Sequence, residues 1–493
     1  MNQGRRMHPA AMLILFLSRI RELLLPLVIV FFFTGGFNNY ALWIFGAFFV
    51  FILVTSVWQW FVYRYDAREQ ELEVQQGYFI KKHRYIRRER IQSFDRTAGV
   101  LQRMFGLVKV KVETAGGGQA PEVEIVALQK DEAERIRRLL LKEGINSGDE
   151  ENLEEENLQA RTDEELPSFR WHLPVGWLML MAATSSSIGI VFSALLALLS
   201  QVEQLIPMAW RETLFDQAIG VIITSSILFL AGIAVFVFLA AWIISIAMTA
   251  VKYGRFSAEK RADEILLQRG LLERRQLTLK EHRITAVRIV QNPVRQLFGF
   301  CTVYVESAGG GSEDEQQSTV LLPMAKRATV VAHLERLLPQ FQFEHEQTAL
   351  PQRALPRFLI RMTVLPLLIL GLLAYFTPAS FWLLGLSGLF ALLGWRQFKD
   401  SGSASTNHYV FLQRRVLQLS LVIIPRHKVQ DATASQSLLQ RQMKLNTYTV
   451  SVQNTTSGRA FSVRDLDEGE ASHLLAWYSY HNRLQHDNDL YLH

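Results

Sequence analysis

The sequence predicts a multi-span α-helical membrane protein, with six transmembrane helices arranged as three hairpins and three cytoplasmic β-rich modules, each closed by a C-terminal helix. Three observations predict it. Of 493 residues, 49% are hydrophobic and only 20% charged, and the apolar residues gather in blocks near the roughly 20 residues needed to cross a bilayer. The blocks come in pairs. The soluble stretch after each pair is written three times.

This balance excludes a disordered or low-complexity chain. Cys301 is the only cysteine, so no internal disulfide and no paired-cysteine zinc or redox site can form. The formal net charge of +6 is modest for a chain whose membrane topology alone accumulates Lys and Arg, and it gives no reason to expect a nucleic acid partner. Arg5 and Arg6 precede a first apolar block that runs into the second without a small-residue cleavage site. The N-terminus is therefore expected to be a retained anchor, not a removed signal.

The six blocks cover residues 23–37, with an extension back to 13, then 41–62, 175–199, 219–249, 358–376 and 381–395. The last two are short and suit a tilted or locally thinned arrangement. Short connections at Asn38-Asn39, residues 200–217 and residues 377–380 make each pair a helical hairpin. Arg211 is the only basic residue across these tips, whereas the opposite side holds essentially all the remaining Lys and Arg. The positive-inside rule then places both termini and every soluble segment in the cytoplasm. Trp43, Trp171, Trp177, Trp210 and Trp395 stand near span ends, where interfacial anchors belong. The span cores hold no ionisable residue; Arg19, Arg21, Glu22 and Arg361 fall at block edges. Coupled transport usually needs intramembrane ionisable groups, so a transporter is disfavoured. The hydroxyl runs at 184–187 and 224–226 read as positions of close helix packing.

An internal repeat organises everything else. The first soluble segment contains Gln76-Gly77-Tyr78, Arg90-Ile91-Gln92, Met104-Phe105-Gly106-Leu107 and Glu113-Thr114-Ala115-Gly116-Gly117-Gly118. At one constant offset, without a gap, the second contains Arg269-Gly270-Leu271, Arg283-Ile284-Thr285, Leu297-Phe298-Gly299-Phe300 and Glu306-Ser307-Ala308-Gly309-Gly310-Gly311. The third is more divergent, with Arg414-Arg415-Val416, Lys428-Val429-Gln430, Gln442-Met443-Lys444-Leu445 and residues 454–458, at preserved spacing. The units are hairpins over 13–63, 171–251 and 355–397 and modules over 64–144, 252–345 and 405–485.

Within each module, alternation at 72–75 and 108–112, matched by 302–305 and by the strand formers 409–412, predicts strands, and 122–126 or 318–322 pairs back as a hairpin. A closing amphipathic helix follows, over 131–141 with Ile136, Leu139 and Leu140 on one face, over 325–338 with Val330, Leu334 and Leu337, and over 468–480 with Leu474, Leu475 and Tyr478. Short antiparallel strands followed by one helix suggest a small curved sheet or barrel plugged by that helix.

This order of strand, glycine turn, Arg-Ile-Gln segment, Phe-Gly turn, glycine run and C-terminal helix, placed after a two-span hairpin, resembles the bacterial pleckstrin-homology-like (PH-like) membrane proteins. Three such units resemble the YdbT type, whose usual companion is a shorter, single-module YdbS-type membrane protein. The resemblance covers nearly the whole chain. It implies PH-like modules, no enzymatic activity, and a role in envelope defence, namely immunity or tolerance towards membrane-active bacteriocins and resistance to antimicrobial peptides.

Residues 145–170 form a linker dense in Asp and Glu, expected to be a solvated tether. The glycine runs lack the Gly-Lys-Ser/Thr of a phosphate loop and the helix start of a dinucleotide site, so they read as turns between strands. No HExxH or GxSxG motif occurs, and His345, between Glu344 and Glu346, lies on a polar connection. Cys301, beside a strand, is expected to be a buried apolar side chain. Neither a catalytic constellation nor a cofactor or metal site is predicted.

One cluster could bind. Lys81, Lys82, Arg84, Arg87 and Arg88, with Arg90, follow the first glycine turn, and the second module keeps Arg274, Arg275 and Lys280, with Arg283. The third is nearly bare there, so the charge is not needed to build the fold. Two readings stand: a patch facing anionic lipid headgroups or a partner, since each juxtamembrane cation near such a surface contributes about 1 kcal/mol, and the general positive-inside excess. Function is read accordingly as binding of partner proteins or anionic lipid at the inner leaflet of the cell membrane. A permease or exporter of a peptide or lipid, and a scaffold for another membrane enzyme, are the alternatives.

Overall fold

The computed structural model describes the chain except residues 1–3, 34–38, 69, 78–79, 115–122, 142–166, 186–188, 195–226, 308–317, 345, 378–383, 454–457 and 480–493. The hairpin tips, the acidic linker, the two glycine runs and His345 lie wholly or largely outside the described residues.

Among the described residues, three helices are long and apolar enough to cross a membrane, through the windows Phe45–Val62, Ala231–Tyr253 and Gln352–Phe376. Only 11% of each window is buried within the protein. Side chains such as Phe51, Phe236 and Leu365 point outward, where water would be far costlier than lipid. Each of these helices has a helical neighbour: Ala11–Phe33, Val175–Ala183 and Leu386–Lys399. The second neighbour has 9 residues and the third 14, and the expected spans around them run partly outside the described residues.

Each repeat begins before its hairpin. Arg5–Arg6, Phe169–His172 and Thr348–Ala349 are short strands that pair with the first strand after the hairpin, Arg64–Ala67, Ser257–Arg261 and Gly402–Ser405 respectively. The paired helices are thus inserted between the first two strands of a module. Two further strands complete a four-stranded half-sheet, in the first module Glu71–Gln76 and Lys82–Arg87. A second, three-stranded half-sheet follows, Ile91–Ala98, Leu107–Thr114 and Val123–Gln129. Alternation puts Leu107, Val108, Val110 and Val112 inside. The helix Lys130–Leu141 lays Ile136 and Leu140, both fully buried, onto that core.

The modules do not close individually. The second half-sheet of one module and the first half-sheet of the next form one continuous antiparallel sheet of seven strands, and this happens twice. Ser93–Ala98 pairs with Arg274–Leu279 (Ser93 opposite Leu279, Phe94 opposite Thr278), and Val287–Gln291 pairs with Leu419–Ile423 (Val287 opposite Ile423). Under the repeat offsets these registers are identical. The expected small curved sheet packed by a helix is present, since Leu72, Val74 and Ile86 of the first half-sheet share one core with Val110, Val112 and Ile125 of the second and with Ile136 and Leu140, while strand pairing also continues into the neighbouring module.

The closing helices occupy Lys130–Leu141, Val330–Leu337 and Glu468–Tyr478. The second starts later than expected because Ala325 and Lys326 end the strand Thr319–Lys326. That strand lies at the sheet edge, where Pro323 removes no ladder bond the fold needs. In the divergent third module Lys444 takes the left-handed conformation (φ 50°) used by Gly106 (φ 68°) and Gly299 (φ 70°) at the same turn. The turn survives the loss of glycine at a local cost. Lys444→Gly is expected to stabilise the chain by about 1 kcal/mol, measured as a shift in the denaturation midpoint of the solubilised protein.

Candidate anion-binding site at a module boundary

The seam between the first two modules gathers charge that the sequence scatters. Asp95, in the middle of Ile91–Ala98, is buried and forms a close ion pair with Arg275 of the next module. Burial pushes its carboxyl up from the ordinary value, and the Arg275 guanidinium pulls it back. One residue on, Arg96 donates to Gln276 Oε1 at 2.5 Å and to Glu134 Oε2 at 3.3 Å. Burial lowers the Arg96 pKa, against the opposing pull of Glu134. Arg137 crosses the seam to Glu264 Oε2 at 2.7 Å.

Beside these pairs lies a cavity of about 540 Å³ whose polar lining is Arg96, Arg103, Lys130, Arg255, Gln268, Arg269, Arg274, Arg275 and Gln276. Seven cations face it, and among the described residues no acidic side chain lines it. Arg275 and Arg96 are offset by Asp95 and Glu134. Arg103 donates to the neutral carbonyls of Leu271 and Leu272, each at 3.0 Å, and Lys130, Arg255 and Arg274 pair with no carboxylate among the described residues. Among the described residues the cavity thus carries several positive charges without counter-charge, on exposed side chains whose fields sum at its open mouth.

Its position follows from the chain path. Arg255 comes two residues after the end of the apolar helix Ile227–Tyr253, in a left-handed turn (φ 55°). Gly270 N donates to Gly254 O at 2.8 Å and Leu271 N to Val251 O at 3.0 Å, tying the strand turn to the helix end. Gly270 (φ 101°) is obligatory here, since a Cβ would stand 1.9 Å from Glu273 O. Arg269 stacks 5.5 Å from the Tyr253 ring. An apolar rim accompanies the cations: Leu271, Leu272, Val100, Met104 and Phe105 are all exposed. The third module repeats the turn, with Val416 and Leu417 exposed and Gln397 of the helix Leu386–Lys399 donating to Val416 O at 2.7 Å. Cations above exposed apolar side chains, at the end of a membrane-length helix, form a surface suited to the headgroup layer of a bilayer.

Of the residues singled out from sequence, Arg274 and Arg275 line this cavity, and Lys280 ends the same strand, half-buried. Lys81, Lys82, Arg84, Arg87 and Arg88 are exposed or half-exposed on and around Lys82–Arg87, in a different sheet. The eight therefore occupy two places. Sequence reasoning missed Arg96, Arg103, Lys130, Arg255 and Arg269, which lie singly along the chain and meet only through the shared sheet. The one available signal was Asp95, a carboxylate next to the core residue Phe94 within a strand.

Comparison with known proteins bears on the same repeat. The bacterial PH domain profile matches residues 15–144, 216–339 and 357–482. The chain is 32% identical over 501 residues to the UPF0699 transmembrane protein YdbT of Bacillus subtilis (strain 168), covering 97% of this chain and 99% of that one. It is also 31% identical over 97 residues to the UPF0699 transmembrane protein YdbS of the same organism, covering 20% of this chain and 58% of the relative.

Proposed function

This chain belongs to the bacterial PH-domain family of transmembrane proteins, and we propose that it is a non-enzymatic, six-span protein of the cytoplasmic membrane that binds anionic lipid headgroups at the inner leaflet. Its termini and modules face the cytoplasm in this reading, and the cavity between modules one and two is the headgroup site. The observation that carries it is the set of seven cations without a lining carboxylate, placed where an apolar membrane-length helix ends. By family resemblance the process served is envelope defence against membrane-active bacteriocins, in company with a smaller YdbS-type protein, a relative of which matches one module's length of this chain.

The full chain, reconstituted in nanodiscs of mixed neutral and anionic phospholipid and released for native mass spectrometry, is expected to retain anionic lipid selectively. Replacing Arg255 and Arg274 with glutamine removes two cations at about 1 kcal/mol each, so retention should weaken about thirtyfold. Equal retention by the variant would reject the cavity. The same loss produced instead by replacing Lys81, Lys82 and Arg84 would move the site to the exposed strand. For the defence role, deleting the gene should raise killing by circular or leaderless bacteriocins; unchanged sensitivity would remove that part of the reading.

A further inference from the structure

The seam that joins the modules is used twice and left open twice. Going from module one to two and from two to three, the same strand joins the same strand in the same register. At the two ends of the chain the corresponding strands have no partner on their outer edges among the described residues: Lys82–Arg87 pairs only with Glu71–Gln76, and Val429–Ser435 only with Leu445–Val452. Their residues are largely exposed, whereas the equivalent paired strands Leu419–Pro425 and Ile284–Gln291 are mostly buried.

A side-chain clasp marks each seam. Arg283 donates to Glu89 O of the preceding module at 3.1 Å, and Lys428 donates to His282 O at 2.7 Å. Donors and acceptors are equivalent under the repeat. The same position in module one is Arg90, a cation, and Arg90 is exposed. The acceptor it would need is the carbonyl of residue 427, at the open end of module three.

We propose that the two open edges bind each other between copies of this chain, so that Lys82–Arg87 of one copy continues the sheet begun by Val429–Ser435 of another. Continuing the internal register puts Tyr85 opposite Ala432, Arg90 at the carbonyl of His427, and the exposed Asp431 diagonal to Arg84 and Arg88. Basic residues on the open strand do not bar this: Arg274, Arg275 and Lys280 occupy the positions of Lys81, Lys82 and Arg87 on a strand that is paired. The relation that carries one module to the next also carries its hairpin, so an added copy keeps its helices in the same membrane. The contact is head-to-tail, giving a ring where the rotation closes and a filament where it does not.

The test uses the full chain in its native membranes, with buried Cys301 retained. Tyr85→Cys together with Ala432→Cys is expected, on mild oxidation, to give a ladder of covalent multimers, at least tenfold more than the register-shifted pair Lys82→Cys with Ala432→Cys. Two single variants expressed together should stop at the dimer. No excess over the shifted pair, linkage of Tyr85→Cys to itself, or capture of a different protein would each overturn the proposal. The unmodified chain in polymer-extracted membrane patches should contain several copies; a single copy at every density would also overturn it.

Discussion

Asp465→Asn is expected to cost about 3–5 kcal/mol of the third module's stability. The Asp465 carboxylate is fully buried and accepts from Arg357 Nε at 2.8 Å, Arg361 Nη2 at 2.7 Å and Gln440 Nε2 at 2.9 Å. Two of these donors belong to the membrane helix Leu355–Phe376 and the third to the short helix Leu438–Gln442. Asparagine keeps the size, tolerates the left-handed backbone found here (φ 60°) and retains an acceptor. It removes the charge, leaving two part-buried guanidiniums without one. Arg357→Ala or Arg361→Ala alone should cost less, because the remaining guanidinium still neutralises the carboxylate. Chemical denaturation of the solubilised chain checks the order. Equal losses from all three substitutions would mean that this cluster acts by packing and not by charge.

Arg361 illustrates where sequence reading stops. Its place at the edge of an apolar block was legible. Its partner lies about a hundred residues later on the strand Arg459–Asp467, and no spacing rule links the two. The repeat and a long apolar helix in each unit were legible because a constant offset and a run of apolar residues are local properties of the chain. Strands of two to four residues before each hairpin were not, since Arg5–Arg6 or Thr348–Ala349 carries no alternation to detect and pairs across a whole membrane hairpin. Sharing of half-sheets was invisible for a related reason. A strand that pairs within its module and one that pairs across a seam show the same alternation, so Lys82–Arg87 and Arg274–Lys280 look alike although only the second is enclosed. The landmark Arg90, Arg283 and Lys428 was visible as a conspicuous repeat; its physical reason, a donor to the previous module's carbonyl, required the neighbour's backbone. The candidate site was legible only through Arg274 and Arg275, because a cavity built from two modules has no contiguous motif.

Replacing Asp95 separates the two roles of that seam. Asp95→Asn leaves the half-buried Arg275 without its counter-charge, and the expected loss in neutral lipid is about 3 kcal/mol. The same change frees one more positive charge beside the cavity, worth about 1 kcal/mol towards an anion, so anionic headgroups should bind about fivefold more tightly. The two effects are coupled by mass action, since a ligand that binds only the folded seam stabilises it, by about 2.7 kcal/mol at a hundredfold excess over the dissociation constant. The variant should therefore be much less stable than the parent in neutral nanodiscs and recover a large part of the difference in anionic ones. High salt should abolish that recovery, because exposed charges are screened beyond about 3 Å at 1 M. A purely structural ion pair predicts the loss without the recovery. An anion site without structural work predicts tighter binding without the loss. Only a seam that both joins the modules and holds an anion gives stability that depends on lipid charge more steeply in the variant than in the parent.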